Sequence, residues 1–165
     1  MTAWNERSRE ERTLLNPGYC ANLLWHATRG HALFDGTALA FEEAFLVLPL
    51  VLDRRTREAL PRDTRTSLAT WLEGDVLARG RIASRAQLLA EFTKEALLFG
   101  GVHGLFSIYE GQVVGVDGWR TSVRKSLRDS SDEVRETVKK AEFVGKWFAH
   151  AGAAATVLAL IGVRP

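Results

Sequence analysis

Apolar and polar positions along most of this chain repeat with the period of a helix. "LLNPGYCANLLWHATRG" opens with Asn16 as a predicted N-cap and Pro17 at the first helical position. Cys20, Leu23, Leu24 and Ala27 fall on one face, and Gly30 is expected to stop the run. "DGT" at 35–37 reads as a turn from which Thr37 caps a second, central helix through "ALAFEEAFLVL". In "FLVLPLVL" leucine outnumbers the β-branched residues, which favours a helix ending or kinking at Pro49 over a strand. Short helices follow at 54–60 and 64–72, the second with Leu68, Trp71 and Leu72 inside. Ser84 then caps "RAQLLAEFTKEALLF", with Leu88, Leu89, Phe92, Ala96 and Phe99 as an inward stripe.

After Gly100-Gly101 the period changes. "HGLFSIYEGQVVGV" carries β-branched and aromatic residues on both sides of "EGQ", the signature of a hairpin. "WRTSVRKSLRD" and "SSDEVRETVKKAEFVGKWFAHAG" return to helix, with Ser131 and Asp132 at the second N-terminus. Thr156 is placed as the cap of a last short helix, "VLALIG". The predicted fold class is mainly α with one β-hairpin, a helical domain with a winged-helix-like element. One domain over 1–165 is expected, with 1–13 a charged, partly solvated arm anchored at most by Trp4.

Gly145-Lys146 has the look of a phosphate loop, and the pattern around it removes that reading. Such a loop needs a glycine five residues before Gly145 and a hydroxyl residue after the lysine. Lys140 and Trp147 stand at those positions. Val134, Val138, Ala141, Gly145, Phe148 and Gly152 recur instead at alternating spacings of four and three, a buried helical seam. Gly145, Trp147 and Phe148 are its predicted packing residues. Arg135, Lys139, Glu142, Lys146 and His150 form the opposite, solvated face. A glycine inside a helix costs about 1 kcal/mol against alanine, so close approach of another backbone is the expected compensation.

Composition narrows the picture modestly. Five tryptophans are generous for 165 residues and suit either core or interface. A lone Cys20 excludes an internal disulfide and suits a reducing compartment. No signal-peptide pattern opens the chain, and the apolar C-terminal run is shorter than the roughly 20 residues a spanning helix needs. A soluble, cytoplasmic protein is the expectation.

No cofactor or metal site is expected. His26 and His31 are five residues apart and so lie on different helical faces, and His103 sits in a glycine-rich turn. Glu42 and Glu43 are adjacent and diverge, and neither Ser67 nor Ser107 has a partnering histidine at a nucleophile elbow. Nothing in the sequence supports a catalytic assignment. Cations do cluster: Arg120, Arg124 and Arg128 repeat every fourth residue, with Lys125 beside them. They read as a solvated face, a phosphate contact or a surface for an acidic protein partner. The net charge is only +2, and the helix before the hairpin carries a mixed Arg85, Gln87, Glu91, Lys94, Glu95 face that suits a DNA groove poorly.

The motifs "LLNPGYCANLL", "LVLPLVL", "ALP", "LATWL", "LLFG", "VGKWFAHAG" and "LIGVRP" occur in an order that resembles the middle-component family of bacterial three-component ABC systems. The resemblance covers nearly the whole chain and is most distinctive at Asn16-Pro17, Gly145-Lys146-Trp147 and Gly162-Val163. It implies a small non-enzymatic adaptor, encoded with an ABC-type ATPase and an effector-bearing third component, in defence against phages and mobile elements. DNA contact is then indirect or non-specific, and no membrane is involved. The alternative reading is a free-standing winged-helix DNA-binding transcriptional regulator.

Overall fold

The computed structural model describes residues 6–163. It is mainly helical, with a small antiparallel sheet. Helices α1 (Arg9–Leu14) and α2 (Pro17–Asp35) lead into a two-residue strand β1 (Leu39–Ala40), then α3 (Phe41–Val51), α4 (Arg54–Ala59), α5 (Leu68–Gly74) and the long α6 (Ala78–Val102). Strands β2 (Phe106–Tyr109) and β3 (Gln112–Gly115) form the hairpin. A 3-10 turn leads to α7 (Arg120–Arg128), α8 (Asp132–Ala151) and α9 (Ala154–Ile161).

Helix α2 is the axis of the fold. The Asn16 side chain accepts hydrogen bonds from the Gly18 and Tyr19 amides, and Pro17 occupies the first turn, where its missing N–H costs nothing. From Cys20 to Thr28 all but one residue are buried, because α3, α6, α8 and β3 surround the helix. Gly30 does not stop it. The helix continues to Asp35 and ends at Gly36, because Gly30 serves the packing of α2 on α8 rather than termination.

That packing is the most extensive contact between elements. A Cβ on Gly145 would lie 2.7 Å from the Ala27 carbonyl carbon and nearer still to its oxygen. A Cβ on Gly30 would meet the Glu142 carbonyl in the same way. Residue 27 thus faces 145 while 30 faces 142, so the helices run antiparallel with their backbones in contact. Val138, Ala141, Gly145 and Phe148 lie in this interface region and are buried, whereas Gly152 caps the helix and is exposed. Trp147 is buried on the adjacent flank, stacked on Phe143 at 5.5 Å and edge-on to Trp71 at 5.4 Å.

Several elements differ from their sequence reading. Helix α6 begins at Ala78, so Ser84 lies inside it and caps nothing. Its inner face is Ala78, Ile82, Ala86, Thr93, Ala96, Leu97 and Gly100, whereas Leu88 is 74% exposed and Phe99 36%. Only Ala96 of the predicted stripe is fully buried. Small residues let α6 lie close to α2 and α3, so its large side chains are displaced outward. Helix α3 runs through Pro49 to Val51 instead of stopping there, and Thr37 closes an Asp35 turn rather than capping it. Thr156 lies within α9, whose N-cap is Ala153.

The hairpin turns at Glu110-Gly111, both with positive φ, the geometry that matches strand twist. Its third strand went unpredicted. Leu39 pairs with Val113 and Ala40 with Gln112, giving the order β1-β3-β2. The described side chains of the N-terminal arm are exposed except Arg7, which is buried, paired with Glu95 on α6 (Nη1 to Oε2, 2.8 Å) and set over the Phe92 ring. Trp4, its expected anchor, lies outside the described residues. No single helix among the described residues is long and apolar enough to cross a membrane.

Candidate functional site

Helix α7 is amphipathic and sits on the outside of the bundle. Val123 and Leu127 turn inward against the core, while Arg120, Arg124, Lys125 and Arg128 are exposed. None of these four cations pairs with a carboxylate among the described residues. Exposed unpaired cations on one short helix retain their full capacity to attract an anionic partner.

The structure separates them into two groups. Arg120 and Arg124 overhang a groove of about 570 Å³ between α2, α7 and α8, whereas Lys125 and Arg128 do not line it. Arg29 from α2 and Lys139 and Lys146 from α8 complete the rim. The floor is apolar, made by Trp25, Val123, Leu127, Val138 and Phe143. Arg29 is held over the Trp25 ring at 5.0 Å and lies 3.8 Å from the exposed Asp117 carboxylate. Glu142 is the one carboxylate in the groove, and the neighbouring His26, with Arg29 and Arg120 behind it, holds its carboxyl below the ordinary value. A second groove, of about 590 Å³, adjoins it across Arg29, Leu33 and Arg120 and is floored partly by β3.

His26 stands at the base of the first groove. It is 7% exposed, and neither ring nitrogen has a hydrogen-bond partner; Nδ1 lies 3.7 Å from Glu142 Oε2.

Lys146 lies in the middle of α8, in continuous helix rather than a loop, so its neighbouring amides are committed to helical hydrogen bonds and cannot cradle a phosphate. It contributes a rim charge instead. Sequence reasoning placed Lys139 and Lys146 on a solvated face and gave Arg29 no role. Their seven-residue spacing on α8 was readable, but only the crossing of α2 and α8 brings Arg29 beside them.

The helix before the hairpin presents few free charges. Arg81 pairs with Asp75, Arg85 with Asp53 at 2.6 Å and Lys94 with Glu91 at 2.8 Å, and Glu95 takes Arg7. Internal pairing of this kind leaves little net attraction for a phosphate backbone.

A buried carboxyl and a buried thiol lie elsewhere. Burial pushes the Glu43 carboxyl up to about 7; its Oε2 accepts the Ala40 amide at 3.1 Å, and the His31 Nε2 stands 3.6 Å away. Burial likewise pushes the Cys20 thiol up to about 12. Among the described residues no group of three or more His, Cys, Asp or Glu side chains is arranged to hold a metal ion.

The tryptophans have a structural role that composition left open. Trp25, Trp71, Trp119 and Trp147 donate their indole N–H groups to the carbonyls of Val116, Ala59, Gly104 and Thr66. Each pins the chain outside or at the end of a helix, so they fasten connections rather than form an exposed aromatic patch.

No curated protein and no solved structure matches the chain. The family model described as ABC-three component (ABC-3C) system Middle Component 3 matches residues 4–165. The chain therefore belongs to the Middle Component 3 family of ABC-three component systems.

Proposed function

We propose that this chain is a non-catalytic, cytoplasmic adaptor that couples an ABC-type ATPase to an effector component in a bacterial defence system. Membership in a middle-component family carries this reading, since a middle component operates among partners. The concentration of cations around one apolar groove supports it, because a surface of that kind suits contact with another macromolecule. The test is co-expression of the tagged chain with the ATPase and third component encoded beside it. Recovery of both proteins at fixed stoichiometry is expected. Recovery of neither would refute the adaptor.

A second reading has one observation in its favour. A strand after the first core helix that pairs with the last strand of a hairpin is the arrangement found in winged-helix DNA readers. The paired cations of α6 count against it. On the adaptor reading the isolated chain binds duplex DNA no more tightly than ~10⁻⁶–10⁻⁴ M at physiological salt, the ordinary non-specific range. Nanomolar, sequence-selective binding by the chain alone would make the regulator the correct answer.

A further inference from the structure

We propose that the groove between α2, α7 and α8 is the docking site for an acidic segment of a protein partner. That segment seats apolar side chains on Val123, Leu127 and Phe143 and carboxylates on Arg29, Arg120, Arg124, Lys139 and Lys146. The inference rests on the adaptor reading and names the surface and the partner chemistry.

Two observations converge on it. The first is charge. Five cations from three helices meet around one groove with a single carboxylate, Glu142, among them, although the whole chain carries a net charge of only +2. Like charges brought together on separate elements repel one another, and an anionic occupant would relieve that repulsion.

The second is the floor. Val123, Leu127 and Phe143 are partly exposed beneath the cations, backed by the buried Trp25 and Val138, and Leu33, 61% exposed, stands at the mouth. A nucleic-acid backbone places hydrated phosphates against a protein and gains nothing from an apolar floor. A peptide with large apolar residues flanked by Asp or Glu matches both layers. An apolar centre within a charged rim is the ordinary anatomy of a protein–protein contact.

His26 lies below this surface, with Nδ1 3.7 Å from Glu142 Oε2, and so engages the groove's one acid from beneath.

The test uses the full chain and the purified co-encoded ATPase and third component, each titrated by calorimetry. Arg120→Glu, Arg124→Glu and Lys146→Glu are combined in one variant, since all three side chains are exposed and their reversal leaves the core untouched. A second variant, Lys125→Glu with Arg128→Glu, reverses two cations of the same helix outside the groove. The expected result is that the groove variant binds one partner more weakly by about tenfold or more, with a flattened salt dependence, while the second variant binds within a few-fold of wild type. Equal losses in both variants, or none, would overturn the groove while leaving the adaptor reading intact. If the wild-type chain binds neither protein, the adaptor reading fails and this inference falls with it. If the groove variant instead loses affinity for a short mixed-sequence duplex DNA and keeps both proteins, the groove is a phosphate site and the proposal is wrong.

Discussion

Gly145→Ala adds one methyl group and should destabilise the protein, although alanine is the better helix former. The added Cβ would lie 2.7 Å from the Ala27 carbonyl carbon and closer to its oxygen. That obstacle is helix backbone, so it cannot rotate away like a side chain. Restoring ordinary contact requires α2 and α8 to separate by about 1 Å, and a gap of 0.5–1 Å forfeits roughly a quarter to a half of each affected atom-pair attraction of ~0.1–0.2 kcal/mol. Over a few dozen atom pairs the loss is on the order of 2 kcal/mol, within the ~1–3 kcal/mol typical of overpacking. Helix propensity returns about 1 kcal/mol. The net expectation is a loss of about 1 kcal/mol, or a Tm lower by roughly 2–4 °C for a chain of this size. Far-UV circular dichroism during thermal and urea unfolding measures it. Gly80→Ala is the control, because a Cβ there meets nothing within 4 Å and should stabilise by about 0.4–1 kcal/mol. The double variant with Gly30→Ala should cost less than the sum of the singles, since the first methyl already separates the helices. If Gly145→Ala raised stability as Gly80→Ala does, the backbone contact would be refuted.

Two further outcomes follow from buried groups. With its carboxyl lifted to about 7 against 4.5 in the unfolded chain, Glu43 binds a proton more tightly when folded, so its contribution weakens stability as pH rises through that window. His31 and Glu42 are the titratable neighbours. Glu43→Gln should match wild type near the lower limit, be more stable above the upper one, and flatten a slope of at most about 1.4 kcal/mol per pH unit; parallel stability–pH curves would contradict this. Cys20, fully buried with its thiol pushed up to about 12, should react with a thiol reagent only on unfolding. Rapid labelling of the native protein would show that the α2 face is open.

What could be read from the sequence was local. The Asn16-Pro17 start, the hairpin turn at Glu110-Gly111, the Ser131 cap and the seam of α8 each depend on residues adjacent along the chain or one helical turn apart. What could not be read depends on crossings. Gly30 looks like a stop signal until its carbonyl neighbour on α8 is known, and the outward Leu88 looks like core until small residues elsewhere on α6 take that place. Strand β1 is two residues long, too short for alternation to show, and exists because β3 offers an edge. The basic helix was visible as Arg120, Arg124, Lys125 and Arg128. Its division into groove and non-groove cations, and the arrival of Arg29, Lys139, Lys146 and His26, arise only where three helices meet.

The central claim is that this chain joins an ATPase to an effector. Mass photometry of the co-encoded ATPase and third component, mixed with and without the chain, tests it most directly. The adaptor account predicts one species whose mass includes all three proteins when the chain is present, and separate ATPase and effector species when it is left out. An ATPase–effector complex of unchanged abundance without the chain would contradict the account.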